Sequence, residues 1–177
     1  MNKKLNLSKP IACICEGKAE KAVMDILLNN NLLIFSRDDL LDHKLLTCRN
    51  AKKFQDLYLK MNYKNNISVI RILDSRKENF ILSKAYKNKV DVIINVLTTP
   101  EIEILIIFSE GKYQEFHQSR KKPSDFCMQN LIELDYRKSY EDITGYFNDP
   151  DKLVGAIETY HNKRQNKNEY SLWNLLK

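Results

Sequence analysis

The sequence predicts an α/β protein with a mainly parallel central sheet flanked by helices and a helical C-terminal extension. Three short apolar runs, Ile11–Cys15, Ser68–Leu73 and Val90–Leu97, read as strands, the first of them buried on both faces as in a parallel sheet. Segments of helical periodicity separate them, and strand–helix–strand alternation with short turns argues for parallel pairing. In such sheets ligands sit at the carboxyl ends of the strands.

Residues 1–9 read as a basic, poorly ordered lead-in, with Pro10 fixing entry to the first strand. Lys18–Asn29 is predicted helical because Ala22, Val23, Ile26 and Leu27 form a stripe at helical spacing. Leu32–Phe35 reads as a second short strand. Asp38 and Asp39 suit the first turn of a short helix over Leu40–Leu46. Asn50–Met61 carries Phe54, Leu57, Tyr58 and Met61 on one side of a further helix. Glu78–Tyr86 is also read as helical. Glu101–Ser109 is read as a helix opened by Thr99 as N-cap and Pro100 in its first position, with a strand as the competing assignment. Residues 110–122 are polar and basic. Ser124–Leu131 and Asp149–Lys163 are predicted helices, and Ser171–Leu176 is an apolar tail expected to dock back. The organisation expected is a core over 1–110 and an extension over 111–177 packing on it.

The chain has 177 residues, with 43% hydrophobic and 29% charged residues, enough for a real core. A net charge of +6 and a pI of about 9.0 favour a polyanionic partner, with nucleic acid first among them. Cys13, Cys15, Cys48 and Cys127 show no CxxC spacing and read as buried free thiols of a reducing compartment. Cys13 and Cys15 are read as alternating across their strand, which argues against a shared zinc site. His43, His117 and His161 lack ligand spacing and are assigned to no metal. No secretory leader is read, and no apolar run approaches the ~20 residues of a spanning helix. A cytoplasmic protein without membrane contact is expected.

Acidic residues follow each of the three apolar runs. Glu16–Gly17 follows the first, with Glu20 one helical turn on; Asp74 follows the second; Glu101 and Glu103 follow the third. Acids at three parallel strand ends can converge, and Mg²⁺ takes one or two carboxylates together with water and substrate phosphate. Glu16 is the best candidate for acid/base work or metal ligation, and Asp74 for direct ligation. Glu101 and Glu103 compete for the third place.

These motifs carry a resemblance. The order strand, Glu16–Gly17–x–x–Glu20, helix, then strand and Asp74, resembles the Toprim catalytic module of topoisomerases, primases and related nucleases. More narrowly, EGKAE, ILDSR and TTPEIEILIIF resemble the RloB/AbiLii-type proteins of bacterial abortive-infection and restriction-linked loci. The resemblance spans roughly residues 11–110. It implies a Toprim-like fold, Mg²⁺ or Mn²⁺ as cofactor, and a nuclease acting on nucleic acid in phage defence. Glu16, Asp74 and Glu103 would be its catalytic and metal-binding residues, with Pro100 in the third motif. Two positions depart from the pattern. Arg76 stands where a Toprim module has its second aspartate, and Ile102 where the narrower family has Phe. Arg76 is therefore expected to contact phosphate, together with the basic stretch Arg120, Lys121 and Lys122.

Ordinary structural roles compete with each assignment. Glu16–Gly17 can be a strand–helix turn beside a helix N-terminus, Asp74 can cap, and Glu101 can be a first-turn acid. Glu103, flanked by isoleucines, needs solvent or a partner. The alternative function is a catalytically inactive Toprim-like module that binds nucleic acid or protein; a nucleotide-handling protein is a third. A homo-oligomer or a partner protein is left open.

Overall fold

The computed structural model describes residues 5–77, 79–131, 135–164, 166 and 168–177. Three strands pair in parallel in the order β1 (Ile11–Cys15), β2 (Ile67–Leu73) and β3 (Val90–Leu97). Helix α1 (Lys18–Asn29) follows β1 directly. Helix α2 (Ala51–Phe54) runs into a π-helical turn over Gln55–Leu59. After β3 come α3 (Ile104–Ser109), α4 (Tyr113–Ser119), α5 (Pro123–Asn130), α6 (Tyr140–Tyr146) and α7 (Pro150–Lys163).

Strands β1 and β2 are covered on both faces, whereas β3 buries Ile94 and Val96 and leaves Asp91, Ile93 and Asn95 exposed. Ile11, Cys13, Cys15, Ile70, Ile72, Ile94 and Val96 face a large core built with α1, α3, α5, α6 and α7. Ala12, Ile14, Ile67 and Val69 face a smaller one with Phe54, Leu59, Phe80 and Leu82. Cys13 and Cys15 thus share a face, contrary to the sequence reading, because residues two apart in a strand point the same way. Arg71 is buried in β2, its guanidinium 4.7 Å from the Phe80 ring centre and donating to Asn95 Oδ1 at 3.3 Å. Residues from 111–177, among them Phe126, Ile143, Leu153 and Ile157, complete the larger core.

Several expected elements take other forms. Leu32–Phe35 is no strand of the sheet; Leu33 makes one antiparallel bridge to Leu176. Leu40 and Leu46 make parallel bridges along the free edge of β1, and only a 3₁₀ turn at Leu41–His43 lies between them. Residues 79–83 form no helix, and Gln55 Oε1 accepts from Ser83 N at 2.6 Å; Glu78 lies outside the described residues. The first four residues of the lead-in also lie outside them. Ser8 is tied down, its N–H donating to Ser68 Oγ at 2.7 Å and its hydroxyl to Asp91 at 2.6 Å. Helix α3 starts at Ile104, so neither Thr99 nor Pro100 opens it. Two helices unread in the sequence have local causes. In α4, Tyr113 and Phe116 pack toward Phe108 and Phe126; α6 is opened by a Ser139/Asp142 capping box. No helix among the described residues is long and apolar enough to cross a membrane.

The C-terminal tail docks as expected. Ile34 N donates to Leu175 O at 2.9 Å, Lys177 N donates to Leu32 O at 3.0 Å, and Leu175 is fully buried. Leu175→Ala is expected to cost about 2–5 kcal/mol, the range for emptying a buried leucine site. Urea unfolding measures it; a loss below about 0.5 kcal/mol would mean the tail is not part of the cooperative core.

Candidate functional site

The parallel register brings the acids together. Cys15 pairs with Ile72, Glu16 N donates to Ile72 O at 3.2 Å, and Asp74 N donates to Glu16 Oε2 at 3.2 Å. Glu16 and Asp74 are therefore neighbours at the ends of β1 and β2. The chain leaving β3 brings Glu101 and Glu103 to the same edge, and the first turn of α1 brings Glu20. The resulting open cleft, of about 350 Å³, is lined by Glu16, Glu20, Asp74, Glu101 and Glu103, with Lys18, Arg49 and Lys138 as basic neighbours.

Each carboxylate is held differently. Glu103 is buried and accepts from the Tyr136 hydroxyl at 2.9 Å. Glu101 accepts from Ser124 N at 2.9 Å. Arg49 lies 3.7 Å from the Glu16 carboxylate and donates through Nε to Glu16 O at 2.5 Å. Glu20 is buried beneath the turn. A Cβ on residue 17 would come within 2.7 Å of Glu20 Oε2, so Gly17 is the residue that lets this carboxylate approach the turn.

Burial and crowding act in one direction. Loss of solvent raises the pKa of Glu16, and the Asp74 charge adds to it, against the Asp74 amide and Arg49. Burial also raises Glu103, opposed by its Tyr136 hydrogen bond. Glu20 rises furthest, to about 7, through burial and then the charges of Asp74, Glu103 and Glu16. An acid titrating near neutrality can both take up and release a proton.

The donor set suits a hard divalent cation. Carboxylate oxygens are the ligands Mg²⁺ and Mn²⁺ accept, and positive charge would relieve the mutual repulsion. Among the described residues no three such side chains are drawn tightly enough to make a ready-made cage. Carboxylates that repel one another have no reason to close up without a cation.

The basic residues divide. Arg120, Lys121 and Lys122 border a cavity whose other walls include Asp74, Pro100 and Glu101, so this stretch lies beside the acids. Arg76 turns elsewhere: Nε and Nη2 donate to Glu169 at 2.7 and 2.9 Å. Sequence reasoning did not find Arg49, Lys138 or Tyr136, which come from loops with no motif of their own. Glu20 was visible as the second acid of the first motif. No family model, curated protein or solved structure matches this chain.

The raised pKa of Glu20 has a definite sign for stability. Folding favours its protonated form, so stability falls as pH rises from about 4.5 to about 7 and the full penalty applies above that. Glu20→Gln should therefore stabilise the protein by about 1–3 kcal/mol at pH 8 in chelator, with little effect at pH 4.5. Urea midpoints at the two pH values measure the difference; an equal effect at both would remove the buried charge from the account.

Proposed function

We propose that the protein is a Toprim-like, metal-dependent phosphodiester-cleaving enzyme acting on nucleic acid. The observation that carries this reading is the meeting of Glu16, Asp74, Glu20, Glu101 and Glu103 in one cleft at the carboxyl ends of parallel strands. The resemblance to RloB/AbiLii-type proteins adds a setting in phage defence.

In this reading Asp74 and Glu16, with Glu103 behind them, hold Mg²⁺ or Mn²⁺. When bound, the ion supplies charge neutralisation at the phosphate and a more acidic water. Glu20, whose pKa burial and its acidic neighbours raise to about 7, would be a cleft group able to take up a proton. Arg49 keeps Glu16 oriented through its carbonyl and carboxylate. Arg120, Lys121 and Lys122 grip the strand beside the cleft.

One observation favours the second reading, a binding module without catalysis. Arg76 occupies the place of a second aspartate and is engaged by Glu169, so it brings no ligand to the cleft.

Glu16→Gln and Asp74→Asn separate the two. Each should lower Mg²⁺-dependent cleavage by at least about 10²-fold while the fold survives, since acid/base help alone is worth ~10²–10⁴-fold. Cleavage of single- and double-stranded DNA and RNA with Mg²⁺ or Mn²⁺ is the assay. A wild-type protein inactive on all four, yet binding them, would leave the module reading standing.

The basic stretch has its own test. Replacing Arg120, Lys121 and Lys122 by Gln should weaken strand binding and flatten its dependence on salt by about one unit of slope per lost phosphate contact. An unchanged slope would assign these residues to solubility.

A further inference from the structure

A second cavity, of about 450 Å³, has Pro100 in its wall. Among the described residues its cations are Arg76, Lys163 and Arg164, against the carboxylate of Glu169. It is joined to the site already described through shared walls. The acid cleft and the basic-stretch cavity have Asp74 and Glu101 in common, and the latter shares Pro100 with the second cavity.

Lys163 and Arg164 end α7, where positive charge suits the helix dipole. That does not account for Arg164 Nε, which is shut off from solvent and has no hydrogen-bond partner among the described residues. A buried donor left unmade is costly; the guanidinium that carries it lines the cavity, where an anion would pair with its charge. Burial also makes the Arg164 guanidinium easier to deprotonate than usual, a penalty that a bound anion reverses. Arg76 is fixed by its two bonds to Glu169. The walls are rigid: Tyr160 accepts from Thr99 N at 2.9 Å, and Tyr113 stacks on Phe108 with ring centres 4.6 Å apart.

We propose that this cavity is a nucleotide subsite, with a phosphate held by Arg164, Lys163 and Arg76 and the sugar or base lying against Tyr113. A phosphate within a nucleic-acid strand and the phosphate of a free nucleotide present the same chemistry. Only the position of the subsite along a strand rests on the phosphodiester reading of the acid cleft; phosphate binding does not.

The test uses the full chain in EDTA, so that no strand is cut. Anisotropy follows labelled single-stranded DNA and RNA, with AMP and inorganic phosphate as competitors. Arg164→Gln should weaken strand binding about tenfold and lower the salt slope by about one. Arg164→Lys, which keeps the charge, should recover part of the affinity. Lys163→Gln, at an exposed position, should lower the slope in the same way and keeps the test open where Arg164→Gln does not fold. AMP should displace the strand from the wild type but less well from Arg164→Gln. AMP bound through Arg164 with no strand binding at all would support the subsite with a free nucleotide as its ligand, and the reading of the acid cleft would fail instead. Folded Arg164→Gln and Lys163→Gln proteins that bind strand and AMP like the wild type would overturn the subsite.

Discussion

The parallel pairing of β1 with β2 is the constraint on which the rest of the molecule depends. It sets Cys15 beside Ile72, and the next residues out of each strand are then forced to be neighbours. Glu16 and Asp74 meet because their strands end together. The pairing has little freedom to slip. A shift by one residue exchanges the two faces of a strand, and here both faces are committed to different cores. Ala12 and Ile14 match the smaller layer around Phe54, whereas Cys13 and Cys15 match the larger one around α1. The packing of both layers thus fixes the positions of two charged side chains at the edge.

What the fold does with those charges explains its neighbours. Five carboxylates in one cleft repel, and three have a partner from outside the motif: Arg49 for Glu16, Ser124 N for Glu101 and the Tyr136 hydroxyl for Glu103, while Asp74 is half open to water. Glu20 has the least, being buried under Gly17 with three carboxylates acting on it, and its pKa rises to about 7. A fold selected for stability alone has no need of a buried acid there. Local charge conflicts that packing preserves cluster at functional sites, and this one supports the proposal of a metal-dependent cleft.

The strands were legible because each is mainly apolar despite Ser68, Arg71, Asp91 and Asn95, and Glu16 and Asp74 because they follow their runs directly. Helices α1 and α7 were legible from spacing and, for α7, from Asp149 and Pro150 at its start. Segment 79–86 was misread because its apolar residues answer a tertiary demand: Phe80 and Leu82 cover the smaller face of the sheet, and Ser83 is tied to Gln55 from a distant turn. Leu40–Leu46 was misread for a similar reason, since Leu40 and Leu46 bridge to the edge of β1, which no local pattern records. Arg49, Lys138 and Tyr136 reach the cleft from loops, and long-range placement of a single polar residue leaves no periodic trace.

The charge layout along the carboxyl edge carries a consequence for binding. The acids line one cleft at the carboxyl ends of the strands, and Arg76, Lys163 and Arg164 line a second cavity that includes Pro100. A polyanion laid along this edge is attracted at one end and repelled at the other. The cations supply affinity that salt weakens, because each phosphate contact releases counterions. The carboxylates oppose the strand until positive charge occupies their end. Divalent cations at low concentration should therefore strengthen strand binding even as they screen the basic end, and monovalent salt should only weaken it. The opposite signs of these two dependences follow from the placement of the charges alone, before any bond is broken.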